Sequence, residues 1–182
     1  LLRTIKKRRI KKFYLLGHSM GGMIVQEMVK MDPYNIEKLI FYATGPIGEM
    51  PGRFETVEKS RKNFKRNGLE VTAKKIIKTW FVKKENSLYF NLCFKSGQQT
   101  TLEAVDNSLT AFKSWNNLKS LKKIKNKTLI IWGEKDKSYN LKQIKLLKNN
   151  IKNSELIIFK NCAHNVHLEE VKKFNIIVKK FI

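Results

Sequence analysis

Gly17-His18-Ser19-Met20-Gly21 follows directly on the apolar run Phe13-Tyr14-Leu15-Leu16 and leads directly into Gly22-Met23-Ile24-Val25-Gln26-Glu27-Met28-Val29. The aromatic and apolar run reads as a strand, while Met23, Ile24, Met28 and Met31 recur at helical spacing. So short a link leaves room only for a sharp strand-to-helix turn. Gly17 and Gly21 are the residues expected to make that room, by admitting an unusual backbone at Ser19 and letting the helix pack tightly on the strand. A serine in such a turn stands clear of the strand at the mouth of a helix. The first helical amides, Met20 N–H foremost, then point to where an oxygen would become negative. Ser19 is therefore the candidate nucleophile and Met20 the candidate oxyanion-hole residue.

The GHSMGG wording with these flanks resembles the α/β-hydrolase superfamily. That resemblance implies a mostly parallel sheet flanked by helices, with an acid and then a histidine downstream, each on a loop just after a strand. Lys127-Thr128-Leu129-Ile130-Ile131-Trp132-Gly133 has a buried-strand pattern, and Glu134-Lys135-Asp136 follows it as a polar turn. LIIWGEKD resembles the family's acid-bearing segment and maps the acid to Asp136, with Glu134 and Glu155 as alternatives. Leu156-Ile157-Ile158-Phe159 reads as a further strand, and Asn161-Cys162-Ala163-His164-Asn165-Val166-His167-Leu168-Glu169 resembles the histidine loop, with His164 as base. His18 is expected to pack beside the turn, and His167 to stand behind His164 or at a helix N-terminus. Two departures are visible: Lys127 stands where many members have proline, and Lys137-Ser138-Tyr139-Asn140 replaces a second proline after the acid.

On this resemblance, Ser19, Asp136 and His164 form the catalytic triad of a serine hydrolase. It would cleave an ester, lactone, amide or carbon–carbon bond of a small, partly apolar molecule through an acyl-enzyme. Such chemistry needs neither redox cofactor nor metal. Two rival readings use the same residues: a noncatalytic protein that keeps the pocket for a small ligand, and an inactive truncated remnant. The chain has 182 residues, fewer than the family's catalytic domain usually has, and it resembles only the C-terminal two-thirds or so of a member. No segment matches the earlier strands or the His-Gly loop that carries the second oxyanion donor. The expectation is thus a piece of a longer protein or a remnant of one.

The chain divides into residues 1–44 as core, 45–126 as a helical cap insertion and 127–182 as core again. Leu1 to Lys12 reads as the end of a helix, Lys38 to Ala43 as a strand, and Thr44-Gly45-Pro46 to Met50-Pro51-Gly52 as a loop. Helices are expected from Phe54 to Lys65, Val71 to Phe81 and Leu102 to Trp115. Most aromatic residues of this insertion, among them Phe64, Trp80, Phe81, Phe90 and Phe112, are expected to pack its helices together. Arg53 and Arg61 are expected at the surface, with a substrate carboxylate as the alternative partner.

Lysine and arginine number 38 against 15 aspartate and glutamate, a net charge of +23. Such a field attracts phosphate backbones, and Lys6-Lys7-Arg8-Arg9 is the densest cluster. The lysines are nonetheless spread over every segment with asparagine and isoleucine, and no nucleic-acid motif accompanies them. A small-molecule substrate is the expected partner, with no specific nucleic acid. Cys93 and Cys162 lack a paired metal spacing, and two cysteines without a signal-like segment suggest a reducing cytoplasm. No apolar run is long enough to span a bilayer.

Overall fold

The computed structural model describes all residues, Leu1–Ile182. Four parallel strands, β1 (Phe13–His18), β2 (Ile36–Tyr42), β3 (Lys127–Gly133) and β4 (Ser154–Phe159), form one sheet in sequence order. Parallel neighbours need crossovers. Helix α2 (Met20–Met31) links β1 to β2, and α6 (Leu141–Asn150) links β3 to β4. A short α1 (Leu2–Lys7) precedes the sheet, and α7 (Val166–Glu169) and α8 (Val171–Phe181) follow it.

The two central strands are covered on both faces, so β2 from Leu39 and β3 from Leu129 run apolar rather than alternating. Leu39, Phe41, Ile130 and Trp132 pack with Val25 and Val29 of α2 and Ile144 and Leu147 of α6. Their neighbours Ile40, Tyr42, Leu129 and Ile131 point the other way, to Phe174 and Phe181 of α8. Each such buried side chain contributes roughly 1.5–3 kcal/mol. β1 pairs on one side only, with β2. Its Phe13 and Leu15 pack on the core, while Tyr14 and Leu16 lie exposed on the opposite face.

Between β2 and β3 the chain is helical: α3 (Val57–Lys78), α4 (Phe90–Gly97) and α5 (Leu102–Ser114). Thr56 caps α3 by accepting from Lys59 N–H, and Thr101 caps α5 by accepting from Ala104 N–H. α3 is interrupted at Gly68, whose φ is 75°, so the two helices expected here follow one another without a loop. Trp80 and Phe81 lie beyond its end. The sequence pattern did not show α4, which joins Ala73, Ile77 and Phe81 in a third apolar cluster through Phe90. Arg61 forms a two-pronged ion pair with Asp106, tying α3 to α5.

Candidate active site

All four strands point the same way, so the segments leaving β1, β3 and β4 emerge at one edge of the sheet. Ser19 follows β1 at once, with φ 55° and ψ −122°. Its backbone N–H donates to the Tyr42 carbonyl at 2.9 Å, and its hydroxyl makes no capping bond to α2. A positive φ at a non-glycine residue is costly and persists only where the surroundings impose it. Here a strand in front and a helix behind do so. A Cβ on Gly17 would sit 2.5 Å from the Gly21 carbonyl oxygen, and one on Gly22 would sit 2.4 Å from the Thr44 side chain. A Cβ on Gly21 would meet nothing within 4 Å. The close approach thus depends on Gly17 and Gly22, and the expectation for Gly21 is corrected: its α-carbon faces open space.

Asp136 is buried on the loop after β3. Its Oδ1 accepts from the backbone N–H of Ser138 at 2.7 Å and of Tyr139 at 3.2 Å. Its Oδ2 lies 2.9 Å from His164 Nδ1, with both side chains almost fully buried. Two amides on one oxygen hold the carboxylate in a single orientation and turn its other oxygen to the imidazole. The carboxylate therefore fixes the proton on Nδ1 and leaves Nε2 as the imidazole acceptor. Glu134 pairs with Lys135 at the surface, and Glu155 is exposed on β4. Neither alternative acid reaches His164.

The histidine loop is pinned from several sides. Glu169 accepts from Ala163 N–H at 2.6 Å and from Val82 N–H at 2.7 Å, and Asn165 N–H donates to the Trp80 carbonyl. The His164 carbonyl lies 3.0 Å from the Tyr42 hydroxyl and 3.3 Å from His18 Nε2. A carbonyl only accepts, so both groups donate. Tyr42 has spent its proton there, and its oxygen accepts from His167 N–H at 3.1 Å and from His167 Nδ1 at 2.9 Å. Burial drives the Tyr42 pKa well above its ordinary range, which keeps that donor intact. His18 stacks on Tyr42 with ring centroids 4.3 Å apart, beside the turn as expected. His167 lies in α7 behind His164, joined to it through Tyr42. No local pattern marks Tyr42 for this role, since only the register of β2 carries it there.

Met20 begins α2 directly after Ser19. With Met23, Ile24, Phe112 and Trp115 it lines an apolar cleft of about 380 Å³ between α2 and α5. Trp115 Nε1 donates to Glu27 and anchors the end of α5 to α2. Arg53 departs from the surface expectation. Its guanidinium lies over the rings of Phe54 and Phe112 at 4.2 and 5.5 Å, and burial lowers its pKa. Cys93 and Cys162 are free thiols, the latter pushed up to about 11 by burial. No group of three or more His, Cys, Asp and Glu side chains converges as metal ligands do, and no helix is long and apolar enough to cross a membrane.

A sequence-family model described as alpha/beta hydrolase fold matches residues 6–171, and the chain belongs to that family. An AB hydrolase superfamily protein of Bacillus subtilis is 29% identical over 185 residues, covering 95% of this chain and 67% of the relative. A pimeloyl-(acyl-carrier protein) methyl ester esterase of Legionella pneumophila is 26% identical over 175 residues, covering 94% of this chain and 71% of the relative. Among solved structures, an esterase from Exiguobacterium antarcticum superposes with a TM-score of 0.89 at 22% identity, over 98% of this chain and 69% of that one. A bromoperoxidase from Bacillus anthracis gives 0.89 at 21%, over 99% and 70%. The chain thus corresponds to about seven tenths of either structure.

Proposed function

We propose that this chain carries the nucleophile, base and acid of a serine hydrolase acting on an ester of a small, partly apolar carboxylic acid. The observation that carries the reading is the buried 2.9 Å contact between Asp136 Oδ2 and His164 Nδ1, at the sheet edge where Ser19 sits in its strained turn. In this reading Ser19 Oγ attacks the ester carbonyl carbon while His164 Nε2 takes its proton. Asp136 stabilises the resulting imidazolium without itself becoming protonated. The Met20 N–H at the start of α2 donates to the tetrahedral oxyanion. His164 then returns the proton to the departing alcohol, and a water attacks the acyl-Ser19 ester by the same route to release the acid. Residues 45–126 act as a cap that excludes bulk water and shapes the pocket. The cleft lined by Met20, Ile24 and Phe112 suits an apolar acyl or alcohol part. The esterases among the relatives favour the ester over the amide, lactone and carbon–carbon alternatives.

The test is covalent labelling with a fluorophosphonate, followed by turnover of p-nitrophenyl esters. Labelling is expected at Ser19 and lost in Ser19→Ala and His164→Ala, with turnover down on the order of 10⁴- to 10⁶-fold. Asp136→Asn should lose about 10⁴-fold through the wrong tautomer. An unlabelled wild-type protein that still binds small esters would instead establish the noncatalytic binding reading.

A further inference from the structure

One residue outside the three bonds to Asp136, lies along His164 and turns its hydroxyl toward Ser19. Tyr139 lies three residues beyond Asp136, and its backbone N–H donates to Asp136 Oδ1 at 3.2 Å. Its ring lies nearly parallel to the His164 imidazole, with centroids 5.9 Å apart and planes 12° from each other. It is 1% exposed, walled by Phe112 on another side, and its own carbonyl is taken by Trp132 Nε1. The ring is therefore fixed, and with it the place of the hydroxyl. That hydroxyl is buried without a closed hydrogen bond. The hydroxyls of Ser19 and Thr44 are the hydrogen-bonding side chains that face it, against a burial that holds the phenolic proton in place. Thr44 Oγ1 is likewise buried without a partner.

Buried hydroxyls left unsatisfied cost stability, and natural chains rarely keep them in pairs without a reason. A phenylalanine would fill the same space without that cost. A proton-ordered sequence would satisfy the pair: Thr44 would donate to Tyr139, Tyr139 to Ser19 Oγ, and Ser19 to His164 Nε2, whose other nitrogen faces Asp136. Each bond in such a chain polarises the next. Resting on the serine-hydrolase reading above, we propose that Tyr139 is a positioning residue for the nucleophile. Its hydroxyl donates to Ser19 Oγ and holds that oxygen on the line between His164 and the substrate carbonyl, while its ring and backbone fix the other two partners. Deviations of about an ångström at a reacting atom cost on the order of 10²-fold, so this one bond bears on rate and not on substrate binding.

Tyr139→Phe keeps the ring on His164 and the N–H on Asp136 and deletes only the hydroxyl. In wild type and variant, kcat and KM for p-nitrophenyl butyrate, the rate of fluorophosphonate labelling at Ser19 and the thermal midpoint are measured side by side. The expected result is a fall of roughly 10- to 100-fold in kcat and in labelling rate, KM within twofold, and a thermal midpoint equal to or above wild type. Thr44→Val, which removes the donor behind Tyr139, should move kcat the same way by a smaller factor. A Tyr139→Phe protein with kcat and labelling within twofold of a labelled wild type overturns the proposal alone. So does a loss of rate matched by a lower thermal midpoint, which marks a structural hydroxyl. A wild type that is never labelled overturns both this proposal and the reading it rests on.

Discussion

His18 is the clearest case of a side chain whose neighbours decide its charge. Its ring is packed against Tyr42 and lies 4.7 Å from His164 and 5.5 Å from His167, with its Nε2 on the His164 carbonyl. Burial first, and then the two imidazoles, push its pKa from 6.5 to about 2. His167 shifts downward too, by burial and by His164. Both are neutral in the fold. The unfolded chain takes up a proton on each below its ordinary value of 6.5, whereas in the folded chain His18 does not until far lower and His167 only at a lower pH than when unfolded. Stability is therefore intact above pH 6.5 and declines as pH falls below it, because the unfolded state binds more protons throughout that window. His18→Gln keeps a donor for the His164 carbonyl and removes one of these sites. Its thermal midpoint should fall less between pH 7 and pH 4.5 than that of wild type. Parallel curves for the two proteins would show that His18 does not carry the acid sensitivity.

The turn between β1 and α2 is where local sequence and tertiary packing divide the work. Because a Cβ on Gly17 would press on the backbone of Gly21 and Gly22 at 2.5–2.6 Å, neither partner has a rotamer by which to give way. Gly17→Ala should cost at or above the upper end of the roughly 1–3 kcal/mol typical of overpacking. Gly21→Ala faces open space inside a helix and should be neutral or stabilising by about 0.5–1 kcal/mol. Urea midpoints of the two variants check the contrast, and equal losses would refute it. The same turn shows what the sequence could and could not display. The strand, the turn and the helix were legible because each is a local pattern, and β3 emerges with the bounds expected of it, Lys127–Gly133. Which of three glycines carries the close approach was not legible, since Gly22 is constrained by Thr44 beyond the far end of β2. Helix α4 escaped notice because its apolar residues are satisfied by Ala73 and Ile77 of α3 and by Phe81 just beyond it. The candidate loops were visible as polar turns after apolar runs. Tyr42 and Tyr139, which hold them, read as ordinary aromatic residues until the sheet register and the Asp136 loop bring them to His164.

At the scale of the whole molecule, two opposing features govern how these residues behave in solution. β1 presents an unpaired edge, with Tyr14 and Leu16 exposed beside it and Met20 and Ile24 exposed at the start of α2. An edge of this kind is a template for pairing with another chain. Against it stands a net charge of +23, which repels a second copy at distances set by salt. The screening length falls from about 30 Å at 0.01 M to about 8 Å at 0.15 M ionic strength, so the repulsion fades while the apolar edge does not. Association of the chain should therefore increase with salt, the reverse of an ion-pair interface. Sedimentation velocity at 10 mM and 150 mM sodium chloride is expected to show a species that grows at the higher salt. Leu16→Lys places a charge on the exposed face of β1 without touching the core side, where Phe13 and Leu15 pack. It should hold the chain at its low-salt size at both concentrations. If Leu16→Lys associates as the wild type does, the contact lies elsewhere on the molecule and the edge of β1 is not the surface that drives it.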